Sequence, residues 1–345
     1  MRTPFLRLAA CLFMAFFVAG LVHVPMVQAQ QLDVPSIGFK EIIKDGVAVG
    51  VWYPSDGRPV NRVTLGPFDV SYSDNGNPLP GLFPIVLMSH GVGGHYRNHH
   101  MTAARLASEG NVVVAPTHAR DMAIRRGAII TRMEYRQHDL TAALVAVGSD
   151  PVLARVIDQL NVKAVGYSLG TASVMIASGA RLKTSLLQAH CDESAAFDGN
   201  FCSWVTPGFF RSMWEWLIED EQTRQGEYSS PTPLISGDIV LVAPIEQGLD
   251  LASLNASDSK IQVLALGADV EVVPAFHAKA LLTKINIDKI NYIEYPNVHH
   301  YAFIAPFPQW VLDKEDIPVA KDPPGFNRAT FLERINNDIA LFLRP

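Results

Sequence analysis

The chain has 345 residues, of which 48% are hydrophobic and 18% are charged, and its formal net charge is −6. This length and hydrophobic content suffice for one large domain with a buried core. The acidic balance offers no general attraction to the phosphate backbone of nucleic acid. Nucleic acid is therefore not expected as a partner, and the sequence predicts no particular oligomeric state.

The N-terminal segment has the pattern of a secretory signal peptide. Arg2 and Arg7 precede an uncharged apolar run over residues 8–22, and Val27-Gln28-Ala29 follows as a small-residue cleavage site. We predict a signal peptide over residues 1–29 and an exported chain, periplasmic or secreted. An uncleaved anchor is the alternative, but the run is shorter than the roughly 20 residues of a spanning helix. No stable membrane span is expected in the mature chain.

Removal of the signal peptide leaves two cysteines, Cys191 and Cys202. In an oxidising compartment they are candidates for one disulfide, and two buried free thiols are the alternative. The formal net charge becomes −8, because Arg2 and Arg7 leave with the signal peptide. The mature protein is thus more acidic than the full chain.

Beyond the signal peptide, short apolar runs typical of β-strands alternate with segments typical of helices. Several runs are apolar throughout, which indicates an α/β domain with a mostly parallel sheet and helices on both faces. Ligands of such sheets bind beyond the carboxyl ends of the strands. The predicted strands are residues 47–53, 84–89, 111–115, 162–166, 238–243, 261–267 and 290–295. The predicted helices are residues 101–108, 139–147, 151–160, 171–178, 275–284 and 328–343.

One segment, residues 184–236, interrupts this alternation within the predicted domain, residues 30–345. An insertion at this point would overhang the strand ends, so we predict a cap whose aromatic side chains roof an apolar pocket. The alternative is that these side chains form only the small core of the insertion. The aromatic group consists of Trp204, Phe209, Phe210, Trp214 and Trp216.

Ser168 lies between a predicted strand and a predicted helix, in Gly166-Tyr167-Ser168-Leu169-Gly170. Glycines on both sides of a serine allow a sharp turn from strand to helix that exposes the hydroxyl. Ser168 is therefore the candidate nucleophile, and it needs a base because a free hydroxyl is too weakly acidic to attack an ester at neutral pH. Two histidines, His299 and His300, follow the predicted strand 290–295 and are the candidates for this base.

The base needs a carboxylate that orients it and stabilises the imidazolium. Asp269 and Glu271 follow the predicted strand 261–267, and we prefer Asp269, with Glu271 as the alternative. The chain order of serine, acid and histidine is that of the α/β-hydrolases. Val92, in the glycine-rich turn after strand 84–89, and Leu169 are the predicted backbone donors to an oxyanion.

A catalytic metal is not expected, although His95, His99, His100, His118 and Asp121 invite the hypothesis. Neither H-E-x-x-H nor C-x-x-C occurs, and the glycine-rich turn does not match a phosphate-binding motif. We predict no metal and no cofactor. His118 follows the predicted strand 111–115, where it would stand behind the reacting groups or in the pocket wall.

Six motifs of the sequence resemble those of the α/β-hydrolases known as predicted dienelactone hydrolases, which are related to the type II platelet-activating-factor acetylhydrolases. The resemblance implies an α/β-hydrolase fold, ester hydrolysis without a cofactor, and a triad of Ser168, Asp269 and His300. It therefore favours His300 over His299. The matching motifs are Val51-Trp52-Tyr53-Pro54, Gly66-Pro67-Phe68, Phe83-Pro84-Ile85-Val86-Leu87-Met88-Ser89-His90-Gly91, Tyr135-Arg136-Gln137-His138-Asp139, Gly166-Tyr167-Ser168-Leu169-Gly170 and His300-Tyr301-Ala302-Phe303.

The predicted function is hydrolysis of a small-molecule or lipid carboxylic ester through an acyl-enzyme. True dienelactone hydrolases use a cysteine nucleophile, so Ser168 argues against a dienelactone substrate. A lipase or phospholipase-like acyl hydrolase that acts on longer chains is one alternative. A non-catalytic binding protein is the other, because a fold alone does not secure a function.

Overall fold

The computed structural model describes residues 36–57, 61–122, 130, 132–205, 226–314 and 317–345. These residues belong to one compact unit, Pro35–Pro345, and none of their helices is long and apolar enough to cross a membrane. The predicted signal peptide, residues 1–29, lies outside the described ranges. The same is true of four predicted cap aromatics, which are Phe209, Phe210, Trp214 and Trp216.

The described residues form a ten-stranded sheet and a separate three-stranded sheet. The strands are β1 (Ser36–Lys44), β2 (Val47–Ser55), β3 (Asn61–Leu65), β4 (Phe68–Asp74), β5 (Phe83–Ser89), β6 (Val112–Pro116), β7 (Ile157–Tyr167), β8 (Arg181–Lys183), β9 (Glu227–Ser229), β10 (Ile239–Val242), β11 (Leu249–Asp250), β12 (Ile261–Leu266) and β13 (Ile290–Tyr295). The spatial orders are β13-β12-β10-β7-β5-β6-β2-β1-β4-β3 and β11-β8-β9. From β13 to β6 every neighbouring pair is parallel, whereas β2 pairs antiparallel with β6 and with β1.

The parallel strands are buried on both faces of the sheet. In β5, Ile85 and Leu87 point into one hydrophobic cluster, while Val86 and Met88 point into a second cluster on the opposite face. This alternation follows from the two-residue period of a strand. Because both faces are covered, these strands can be apolar throughout, which is the pattern that their sequences show.

Helices cover the sheet on both sides. The helices are α1 (His100–Ser108), α2 (Met133–Ser149), α3 (Leu169–Ala177), α4 (Thr184–Ser194), α5 (Gly199–Val205), α6 (Ala252–Ala256), α7 (Leu281–Lys284), α8 (Gln309–Leu312) and α9 (Arg328–Phe342). Apolar side chains of α2 and α3 join one cluster, and those of α1 and α9 join the other. In α9 the buried residues Phe331, Ile335 and Ile339 recur every four positions, as one face of a helix requires. The predicted mostly parallel sheet with helices on both faces is confirmed.

Two of the predicted helices are wrong. Residues 151–160 form a 3₁₀ turn, Leu153–Arg155, and the first part of β7, because Ile157 pairs with Phe83 of β5. Residues 275–284 are helical only in α7. Before α7, the N–H groups of Phe276 and Lys279 donate to carbonyl oxygens three and five positions back, which is not the i→i−4 pattern of an α-helix. Gln247 Nε2, from outside this segment, donates to the carbonyl oxygen of Phe276 (2.6 Å). Tertiary contacts thus override the local helix preference in both segments.

The described part of the predicted insertion contains α4, α5 and β9. A disulfide joins Cys191 of α4 to Cys202 of α5, with a Cα–Cα distance of 5.4 Å. Strand β9 returns to pair with β8, which directly precedes α4. The chain therefore leaves and re-enters the domain at neighbouring positions, as a surface insertion requires.

Candidate active site

Ser168 lies at the turn between β7 and α3 and has φ 52° and ψ −125°. A positive φ is unfavourable for a residue with a side chain, so the surrounding structure must hold this strained turn. A Cβ on Gly166 would lie 2.6 Å from the carbonyl oxygen of Gly170, and a Cβ on Gly170 would lie 2.0 Å from that of Ser89. The two glycines therefore allow β7, α3 and the end of β5 to meet around Ser168.

Replacing Gly170 by alanine should destabilise the protein by about 3 kcal/mol, the upper end of the usual cost of overpacking. The added Cβ would meet the backbone of Ser89 and not a flexible side chain, so β5 and α3 would have to separate. Urea unfolding measures the loss as a lower midpoint at unchanged slope. Gly199→Ala is the matched control, because nothing lies within 4 Å of its Cβ position. Equal midpoints for the two variants would contradict the prediction.

Three strand ends bring the candidate catalytic side chains together. Ser168 follows β7, Asp269 follows β12, and His300 lies in the 3₁₀ turn His300–Phe303 after β13. The Oη–H of Tyr167 donates to the carbonyl oxygen of His300 (2.9 Å), so the residue before the serine also anchors the histidine backbone. This contact is not evident from the sequence, because the two residues are 133 positions apart.

A chain of hydrogen bonds joins Ser168, His300 and Asp269. Ser168 Oγ lies 3.1 Å from His300 Nε2, and His300 Nδ1 lies 2.6 Å from Asp269 Oδ2. Because a carboxylate only accepts, His300 Nδ1–H donates to Asp269 and His300 Nε2 accepts from Ser168 Oγ–H. The Asp269 side chain is buried, and Oδ1 accepts from the backbone N–H groups of Glu271 and Val272 at 2.9 Å each. The imidazole is therefore held in the tautomer that can take the serine proton.

The two alternative residues have other partners. His299 Nε2 hydrogen-bonds Asp322 Oδ1 at 3.0 Å. Glu271 lines the same cavity as Ser168, but it contacts Asp269 through its backbone N–H. Of the candidate bases and acids in the described chain, the structure thus brings His300 and Asp269 into the hydrogen-bonded chain with Ser168.

The two residues predicted to stabilise an oxyanion flank the serine. Leu169 opens α3, so its backbone N–H has no acceptor within the helix. Val92 lies in the loop after β5, and a Cβ on Gly91 in the same loop would come within 3.2 Å of the Ser168 Cβ. Val92 and Ser168 also line one cavity. The glycine-rich loop therefore passes directly beside the serine.

A buried arginine, for which the sequence predicts no catalytic or binding role, holds this loop. Arg136 Nη1 donates to the carbonyl oxygen of His90 (2.8 Å), and Nη2 donates to that of Gly91 (3.2 Å). The same guanidinium pairs with Asp121, whose carboxylate accepts from the N–H of Gly93 at 3.4 Å. Arg136 is only 2% exposed. Its planar fork of donors thus holds the loop before Val92 directly, and after Val92 it acts through Asp121.

His118, one of the residues considered for a metal site, supports the loop from beneath. Its Nε2 accepts from Ser89 Oγ–H, and its Nδ1–H donates to Asp139 Oδ2, both at 3.0 Å. Its backbone N–H donates to His90 Nε2 at 3.0 Å. Burial, assisted by the charge of Arg136, lowers the pKa of His118 well below its ordinary value. Burial also raises the pKa of Asp139 to about 6. His118 therefore acts in this network as a neutral imidazole.

Two other histidines of the metal hypothesis have separate partners. His99 Nδ1 hydrogen-bonds the carbonyl oxygen of Phe303 (3.2 Å), and His100 Nδ1 hydrogen-bonds Tyr72 Oη (3.0 Å). Burial lowers the pKa of both imidazoles to about 4. These two imidazoles are therefore neutral, buried groups in the interior of the domain.

A cavity of about 160 Å³ opens beside Ser168 and His300. Two of its aromatic side chains, Phe201 and Trp204, come from α5, so the insertion contributes to the pocket wall. Among the described residues that line the cavity, Glu271 is the acidic one. The other side chains are mainly apolar, and the apolar set consists of Val92, Ile130, Phe201, Trp204, Ile245, Val272, Ile304 and Val319.

The strand order and the position of Ser168, Asp269 and His300 beyond the parallel strands are those of the α/β-hydrolase fold. A solved ferulic acid esterase from Streptomyces cinnamoneus is similar to the chain, with a TM-score of 0.57 and 15% sequence identity over 92% of this chain and 91% of the esterase. This similarity confirms the predicted fold class. No protein-family model and no curated protein matches the sequence. The resemblance to dienelactone hydrolases and acetylhydrolases therefore stays a prediction.

Proposed function

We propose that the protein hydrolyses a carboxylic ester through an acyl-enzyme formed on Ser168. The observation that carries the proposal is the hydrogen-bonded chain from Ser168 through His300 to Asp269 at the edge of an apolar cavity. The fold shared with a ferulic acid esterase supports the same class of reaction. No step of this reaction requires a cofactor.

In the proposed mechanism, Ser168 Oγ attacks the ester carbonyl carbon while His300 Nε2 takes the hydroxyl proton. The negative carbonyl oxygen accepts hydrogen bonds from the N–H groups of Val92 and Leu169, each worth about 3 kcal/mol to the transition state. Asp269 stabilises the imidazolium. His300 then gives the proton to the leaving alkoxide, and the alcohol departs. A water molecule, deprotonated by His300, attacks the acyl-enzyme, and His300 then returns this proton to Ser168 Oγ as the acid departs.

The cavity favours a small, uncharged acyl group. Its volume of about 160 Å³ is close to that of an engineered cavity of about 150 Å³ that binds benzene. Its lining is mainly apolar, and the carboxylate of Glu271 would repel an anionic acyl group. A short aliphatic chain or a single aromatic ring therefore fits the described walls better than the long chain of a lipase or phospholipase substrate.

A fluorophosphonate probe tests the mechanism, and a series of esters tests the substrate class. We expect the probe to modify Ser168, located by mass spectrometry of the digested protein. We also expect kcat/KM to be highest for acetyl, butyryl or single-ring aromatic esters and to fall for long-chain esters. An unmodified protein would contradict the proposal and favour a binding function. Modification together with a preference for long chains would instead support the lipase-like alternative.

Arg136→Lys should lower kcat by about 100-fold, which is the lower end of the range of losses seen when one oxyanion donor is removed. Lysine keeps the positive charge but lacks the planar fork of donors that contacts His90, Gly91 and Asp121, so the loop carrying Val92 would lose its fixed position. KM should change little, because the oxyanion forms only during the reaction.

Steady-state kinetics on a short ester measures the effect of Arg136→Lys. Arg105→Lys is the matched control. Arg105 lies in α1, is partly buried, and pairs with Glu109, the residue that follows α1. We expect the control to keep kcat. A wild-type kcat in Arg136→Lys would show that the guanidinium does not position the loop.

A further inference from the structure

A second cluster of chemically active side chains lies between the insertion and the segment after Asp269. His190 belongs to α4, Asp198 precedes α5, and His277 lies before α7. Asp198 Oδ2 is 2.8 Å from His190 Nε2 and 2.9 Å from His277 Nε2, so both imidazoles converge on a single carboxylate oxygen. Asp198 and His277 are fully buried, and His190 is 9% exposed.

Hydrogen bonds within the described residues do not fully satisfy this cluster. Asp198 Oδ1 and His277 Nδ1 are buried, and neither has a partner among those residues. Lys284 Nζ donates to both carboxylate oxygens of Glu246, to Oε1 at 2.9 Å and to Oε2 at 2.8 Å. Among the described residues, the ion-pair partners of Asp198 are the two histidines. A buried carboxylate with incomplete compensation is costly, and such orphaned atoms indicate a bound ion or water.

We propose that His190, Asp198 and His277 form a binding site for a divalent transition-metal ion of the Zn²⁺ type. Two imidazole nitrogens and a carboxylate oxygen are a common ligand set for such ions. The three ligand atoms lie within 4.8 Å of one another. Asp198 Oδ1, which has no hydrogen-bond partner among the described residues, is available as a further metal ligand. Coordination through Nε2 requires the proton of each neutral imidazole to sit on Nδ1.

The ion would act on the structure of the cap and not on the chemical step. His190 neighbours Cys191 of the disulfide, and the Phe201 ring packs edge-on against His277 with centroids 4.6 Å apart. Phe201 also lines the cavity beside Ser168. An ion at this site would therefore fasten α4 and α5 to the segment that follows the triad acid, and it would hold one wall of the pocket in place.

Metal binding is measured on the disulfide-bonded protein without a polyhistidine tag, after chelator treatment and removal of the chelator. We expect calorimetry to show uptake of a single equivalent of Zn²⁺, with a higher unfolding temperature in the bound form. Co²⁺ should give the visible absorption bands of an ion bound by nitrogen and oxygen in a site of low symmetry. No ester is present, so the result does not depend on the proposed esterase activity.

His190→Gln and His277→Gln each remove an imidazole and keep a donor of similar reach toward Asp198. Each should weaken Zn²⁺ binding at least about 100-fold, more than the loss of an outer-sphere contact, and should abolish the rise in unfolding temperature. His138→Gln, a half-exposed histidine of α2, is the control and should bind like the wild type. No Zn²⁺ uptake and no Co²⁺ bands in the wild type would overturn the proposal, as would equal uptake by all variants. The wild-type titration decides even if a variant fails to fold.

Discussion

Replacing Ser168 by alanine should lower kcat by about 10⁶-fold, the size of effect seen when a serine hydrolase loses its nucleophile. The variant lacks the oxygen that would form the proposed acyl-enzyme, so only the remaining polar groups of the site could assist the reaction. His300→Ala should cost about as much, because the serine is a weak nucleophile unless a base takes its proton. The double variant should be no slower than either single variant, since the two residues act as one unit.

Ser178→Ala is the matched control for the loss of a hydroxyl. Ser178 caps the other end of α3, where its Oγ–H donates to the carbonyl oxygen of Val174 at 2.9 Å. We expect full activity from this variant and retained folding in all of them, monitored by circular dichroism. Turnover of Ser168→Ala within tenfold of the wild type, for an ester that the wild type hydrolyses, would rule out the acyl-enzyme.

The features that could be predicted from the sequence are those that depend on local pattern. Buried parallel strands are apolar throughout, and their carboxyl ends meet at one edge of the sheet. A serine, an acid and a histidine that each follow such a strand are therefore expected to be neighbours. The structure brings Ser168, Asp269 and His300 within hydrogen-bond distance in this way. Most of the candidate site follows from the ends of three strands.

The remaining features depend on contacts between distant parts of the chain. Arg136 donates to Gly91 in the glycine-rich loop after β5, 45 positions away. The motif Tyr135-Arg136-Gln137-His138-Asp139 is the signal in the sequence that points to this arginine. Asp198 and His277 are 79 positions apart and show no recognised ligand spacing. The false helix over residues 151–160 has the same origin, because pairing with β5 outweighs local preference there. Sequence periodicity carries no information on such pairings.

The two sequence candidates for the acid, Asp269 and Glu271, lie two positions apart, and Asp269→Asn should separate them. We expect kcat to fall about 10⁴-fold, as happens when an asparagine replaces the acid of a known Ser-His-Asp triad. An asparagine can turn its NH₂ group toward His300 Nδ1, which would move the imidazole proton to Nε2. His300 would then no longer accept the proton of Ser168. KM should change far less, because Asp269 is buried behind the histidine.

Glu271→Gln serves as the comparison, measured with the same neutral ester. Its carboxylate borders the cavity, whereas its bond to Asp269 runs through the backbone N–H, which the substitution leaves intact. We expect kcat to stay within a few-fold of the wild type. If Glu271→Gln alone abolished turnover, Glu271 would be the acid, and the 2.6 Å contact between His300 and Asp269 would have only a structural role. Asp269 is favoured because its Oδ1 is held by two backbone N–H groups, which leaves Oδ2 aimed at the imidazole.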